Sequence, residues 1–98
     1  MLTSKQRAKL RGAANSMETI LIVGKDGINE NLIVQVDDAL TARELIKMRV
    51  LENAPVDARE AAFSLSEKTN SDSVQIIGTR FVLYRRNKDK AKYDDLLK

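Results

Sequence analysis

The 98-residue chain has no cysteine, no histidine, one proline, four glycines and only two Phe and two Tyr. Each shortage removes a class of chemistry. Without cysteine there is no disulfide, no thiolate nucleophile and no zinc–thiolate site. Without histidine the commonest general base near neutral pH and the commonest metal ligand are missing. With so few rings, a chain that is 43% apolar must build its core from Leu, Ile, Val and Ala, with Phe63, Phe81 and Tyr84 as the larger pieces. No apolar run approaches the roughly 20 residues that span a bilayer. Residues 1–12, MLTSKQRAKLRG, lack the apolar centre of a signal peptide. The expectation is a soluble, cytoplasmic protein with no membrane partner.

Charge is present, and its placement carries more than its total. The net charge is +3. Residues 1–12 hold Lys5, Arg7, Lys9 and Arg11 and no acid; residues 80–98 hold seven bases and three acids; residues 13–79 hold six bases and eleven acids. Basic ends around an acidic middle form a one-sided positive patch if the fold brings the ends together. The carboxylates suggest no active site. Asp57 and Glu60 fit a helix cap, Asp37 and Asp38 an exposed helix face, and nothing converges with them into a catalytic or metal constellation. The expectation is a non-enzyme with no metal and no cofactor.

The length favours one domain. Thr3 followed by Gln6 has the spacing of a capping box, and Leu2, Leu10, Ala13 and Met17 then share one side of a helix. Lys5 and Lys9 fall on one flank of that stripe, Arg7 and Arg11 on the other. Residues 19–23, TILIV, are short, apolar and β-branched, and read as a central strand covered on both faces. Asn29 caps a second amphipathic helix to about residue 42, with Leu32, Ile33, Val36, Ala39 and Leu40 inside. Residues 45–50 alternate: Ile46, Met48 and Val50 point one way, Lys47 and Arg49 the other. Asp57 and Glu60 begin a third helix with a small-residue stripe of Ala58, Ala61, Ala62 and Leu65. Two apolar runs around Gly78-Thr79 read as a hairpin. The element order is α-β-α-β-α-β-β, an α/β single-domain two-layer sandwich on a four-stranded mixed sheet. The two crossover units predict parallel neighbours. Residues 1–86 form the domain and residues 87–98 a charged tail, in which Tyr93, Leu96 and Leu97 could make a short turn.

Two of the four glycines bracket Gly24-Lys25-Asp26-Gly27, between the first strand and the second helix. Glycines permit positive φ and close backbone approach, and the helix start behind them offers unpaired N–H groups and the positive end of a dipole. That arrangement seats a phosphate backbone, as GXXG loops do in KH domains. The same spacing also serves an ordinary strand-to-helix turn, and Asp26 opposes an anion. No Lys-Ser/Thr follows the second glycine, so the loop is not a P-loop. Phe81 and Tyr84 could stack on bases, but their place in an apolar strand favours the core.

Taken together, VGKDGINENL after a basic helix, ELIKMRV, and the hairpin VQIIGTRFVLYRR resemble the CRM (CRS1-YhbY) domain, the bacterial YhbY-type RNA-binding family. The resemblance spans about residues 3–86. It implies a fold similar to the C-terminal domain of translation initiation factor three. It also implies binding to ribosomal RNA precursor, or to the precursor of the large ribosomal subunit. The expected state is a monomer. The RNA-binding residues it implies are Gly24, Lys25, Asp26 and Gly27, with a basic surface from Lys5, Arg7, Lys9 and Arg11, and from Arg80, Arg85 and Arg86. A rival from another class is a protein-binding adaptor in ribosome assembly that uses the acidic middle region.

Overall fold

Helix starts are fixed where short polar side chains meet unpaired amides. In the computed structural model, which describes residues 2–98, helix α1 covers Ser4–Ala14. Gln6 N–H donates to Thr3 Oγ1 at 3.1 Å and Thr3 N–H to Gln6 Oε1 at 3.0 Å, the reciprocal box its spacing predicts. Helix α2, Glu30–Arg43, is capped by Asn29, whose Oδ1 accepts from Leu32 N–H at 2.9 Å. Helix α3, Ala58–Thr69, starts in the Asp57–Glu60 box. A cap of this kind contributes about 1 kcal/mol.

The strands are β1 (Leu21–Val23), β2 (Leu45–Val50), β3 (Asp72–Ile77) and β4 (Arg80–Tyr84), in the sheet order β1-β2-β4-β3. β1 and β2 are parallel; β4 is antiparallel to both β2 and β3. Gly78, at φ +58°, supplies the left-handed residue of the two-residue hairpin.

Two expectations fail here. β2 and β3 run the same way but are not neighbours, because β4 folds back between them. β1, for its part, lies at the edge of the sheet, bonded only to β2, so it is not a central strand. α1 packs over β2, β3 and β4, and Ile22 is left 52% exposed.

α2 and α3 bury one face of the sheet, with Val36, Leu40, Leu65, Ile46, Met48, Phe81 and Leu83 at the centre of that core. Alternate residues of the same strands, Leu45, Val82 and Tyr84, face the other way and meet Leu10 and Ala14 of α1. The sheet and α2/α3 make the expected sandwich, and α1 adds a partial cover on the far face. Lys47 lies on that face, and its ammonium donates to the carbonyls of Ala14 (3.1 Å) and Met17 (3.4 Å), a cation at the negative end of α1. Phe63 is not a core residue. It falls one position past Ala62, about 100° round α3 from the small-residue stripe, and stands 66% exposed.

Residues 87–98 are ordered against the domain. A one-turn helix α4, Asp94–Leu97, follows Tyr93, whose ring meets Tyr84 edge-on at 6.3 Å. Gln6 Nε2 donates to Leu97 O at 3.3 Å and Lys9 Nζ to Lys98 O at 2.9 Å, so the two basic ends do come together. The backbone N–H of Lys92 donates to buried Glu44 Oε1. Glu44 Oε2 and the Tyr84 hydroxyl are buried without a partner among the described residues, and burial, then the Glu44 charge, pushes the Tyr84 pKa up. Arg86 forks onto Asp94, and this hydrogen bond holds the Asp94 carboxyl below its ordinary value of 3.8. A lowered folded value means that the clasp is at full strength above the ordinary carboxylate range and is lost as pH falls through the folded value. Amide signals of residues 93–97, followed by NMR from pH 5 to pH 2, should shift before those of the sheet.

Candidate nucleic-acid interface

The Gly24–Gly27 segment leaves the end of β1 as a turn closed by Gly27 N–H to Gly24 O, 3.0 Å. Gly27 is buried at φ +66°, and a Cβ there would stand 2.9 Å from Pro55 Cγ. The loop therefore lies directly on the β2–α3 connection, and only glycine meets both demands. Gly24 has ordinary room, 3.9 Å from Leu51 Cδ1.

Among the described residues, the amides of Lys25, Asp26, Ile28, Glu30 and Asn31 donate to no protein acceptor, while Leu32 N–H is taken by Asn29. Asp26 is exposed and its carboxylate bonds none of these amides. Lys25 is exposed and unpaired. An open hollow lies over this turn, lined by Ile22, Lys25, Asn29, Asn31 and Gln35 among others. Free amides, a helix start and a lysine suit an anion; Asp26 and Glu30 beside them temper the field.

The remaining basic residues divide by end of the sheet. The loop follows Val23, which pairs with Val50, whereas Tyr84, from which the tail departs, pairs with Leu45. The six residues of β2 separate these two ends by about 17 Å. Arg80 stands at the loop end, exposed and opposite Arg49. Arg85 and Arg86 stand at the other end and are engaged: Arg85 with Asp37, Thr41 and Thr69, Arg86 with Asp94. In α1, Arg7 donates to Ser73 O and Lys9 to Lys98 O, while the side chains of Lys5 and Arg11 make no hydrogen bond among the described residues. The fold thus brings Lys25 and Arg80 to one end of the molecule and sets Arg7, Lys9, Arg85 and Arg86 at the other. Phe81 and Tyr84 are buried, in opposite cores. Arg49 is the basic residue that sequence reasoning set aside. Its alternation with Ile46, Met48 and Val50 marked an outward side chain, but only the strand order reveals that it meets Arg80.

The model of the CRS1/YhbY (CRM) domain matches residues 2–85. The chain belongs to this family. "Probable RNA-binding protein YqeI" of Bacillus subtilis is 43% identical over 94 residues, covering 96% of this chain and 98% of that protein. "Probable RNA-binding protein PA4753" of Pseudomonas aeruginosa is 30% identical over 88% of this chain and 83% of its own length. The solution structure of SAV1595 from Staphylococcus aureus shares 51% identity and superposes with a TM-score of 0.77, covering 90% of this chain and 92% of its own. The family match over residues 2–85 takes in the loop and the final hairpin of this CRM domain, not one motif alone.

Proposed function

We propose that this CRM-domain protein is a non-catalytic, monomeric, cytoplasmic RNA-binding protein that grips ribosomal RNA precursor during assembly of the large ribosomal subunit. The observation that carries the RNA contact is the set of unpaired amides of Lys25, Asp26, Ile28, Glu30 and Asn31, which the Asp26 carboxylate leaves free, beside the Lys25 ammonium. Phosphate oxygens are the natural acceptors for such a set. The names of the relatives support RNA over other polyanions. The loop amides and Lys25 fix register; Arg80 and the exposed bases of α1 add longer-range attraction. No aromatic side chain is free in the loop, so shape and backbone outweigh base identity in this reading.

If about five phosphates are neutralised, the logarithm of affinity falls against the logarithm of salt with a slope of about −3.5 to −4.5. Lys5→Glu with Arg11→Glu should flatten that slope by about 2, one phosphate for each base removed. A salt-independent affinity would overturn the phosphate mechanism. Crosslinking in cells followed by sequencing of the attached RNA tests the ribosomal part. Recovery of large-subunit precursor is expected, and its absence from the recovered RNA would remove that part.

A further inference from the structure

The β1-β2-β4-β3 order lines up one residue from every strand on the face that α1 only partly covers. Ile22 pairs with Arg49, Arg49 with Arg80, and Arg80 with Ile77. All four are exposed; the two isoleucines, at 52% and 62%, are among the most exposed large apolar side chains described. The row is about 14 Å long, three strand spacings.

Its centre is electrostatically unfavourable in the isolated protein. Val50 N–H donates to Thr79 O at 2.7 Å, so the Arg49–Arg80 pair beside it is of the non-hydrogen-bonded kind, in which side chains stand closest. Like charges directly opposite each other destabilise a sheet. Among the described residues the ion pairs are Arg85–Asp37, Arg86–Asp94 and Lys98–Asp95, so no carboxylate relieves this one. A bound anion would.

The flanks decide which polyanion. A duplex offers a flat face only its phosphate ridges, and would press Ile22 and Ile77 against charge and water. An unpaired strand presents ribose and base faces on either side of a phosphate, and these can lie on aliphatic side chains and on guanidinium planes. Ile22 also lines the hollow over residues 24–27, so the row continues the surface of the loop.

We infer that the row Ile22–Arg49–Arg80–Ile77 is a platform for single-stranded RNA, with a phosphate held between the two arginines and the flanking nucleotides resting on the isoleucines. The inference rests on the RNA-binding reading above and adds its substrate class. The test uses the intact protein, a labelled unstructured 12-nucleotide RNA and a 12-base-pair RNA duplex of the same sequence, read by fluorescence anisotropy. Thermal unfolding of each variant certifies that it is folded. Arg49→Ala with Arg80→Ala should weaken single-strand binding about tenfold or more, and Ile22→Ser with Ile77→Ser should lower the ratio of single-strand to duplex affinity about fivefold. If both double variants bind the single strand as the parent does while Lys25→Ala weakens it, the platform is overturned and the RNA-binding reading stands. Loss on the arginine variant with an unchanged ratio on the isoleucine variant also overturns it, leaving a plain phosphate patch. A parent protein that binds neither RNA overturns the RNA-binding reading itself.

Discussion

Gly27→Ala is expected to destabilise the protein by about 2–5 kcal/mol, from two independent causes. A side chain at φ +66° lies in the left-handed region, which costs an L-residue roughly 1–2 kcal/mol. The new Cβ would also stand 2.9 Å from Pro55 Cγ, on a ring that cannot swing away as a long side chain would. Overpacking of this kind adds about 1–3 kcal/mol. In urea the midpoint should fall with no change in slope. Gly24→Ala is the control: its Cβ would make ordinary contact with Leu51 at 3.9 Å, and its effect should stay within about 0.5 kcal/mol. Adding Pro55→Ala to Gly27→Ala should recover the packing part and leave the backbone part, a coupling that a double-mutant cycle reads directly. If Gly27→Ala proves as stable as the parent, the loop is not held by its seat on Pro55. RNA binding should suffer more than stability does, because the displaced turn carries the free amides.

The features that were legible in the sequence are local ones. The Thr3–Gln6 and Asp57–Glu60 boxes, the Asn29 cap and the Gly78 turn each involve residues a few positions apart, whose geometry the intervening chain already fixes. The strand order was not legible. Nothing in residues 80–84 says that they pair with β2 as well as β3, and without that pairing Arg49 looks like a solvated residue; β1 looks central only because its residues are apolar on both faces, one of which Ile22 leaves exposed. The candidate site shows the same division. The Gly24–Gly27 segment could be found from its spacing, but its seat on Pro55 and the Arg49–Arg80 juxtaposition are long-range products of the fold. Phe63 is a different kind of miss. Its position off the Ala58–Ala61–Ala62–Leu65 stripe was readable from helical periodicity, and ring size outweighed it.

Arg85 and Arg86 are adjacent, equally basic and inseparable in the sequence, yet the structure gives them different work, and the second large effect follows from that. Arg85 Nη1 donates to Asp37 Oδ1 at 2.6 Å and Thr69 O at 2.7 Å; Nη2 donates to Asp37 O at 3.0 Å and Thr41 Oγ1 at 2.9 Å. One side chain, only 23% exposed, thus ties α2 to the last carbonyl-bearing residue of α3, where a cation also meets the helix dipole. Arg85→Ala should cost about 2–3 kcal/mol, the scale of losing charge-assisted bonds that leave acceptors unpaired. Arg85→Lys should recover less than half of that, because a single ammonium cannot reproduce a planar fork with four bonds. Arg86→Ala breaks only an exposed pair with Asp94, and its effect on stability should be much the smaller of the two. RNA affinity supplies the second readout. Arg85 sits at the end of the sheet opposite the Gly24–Gly27 turn, so the folded Arg85→Ala protein should bind RNA within about a factor of two of the parent, about 0.4 kcal/mol. A variant that keeps its stability but loses RNA would reverse the assignment and make Arg85 a contact to the ligand, not a clasp between helices.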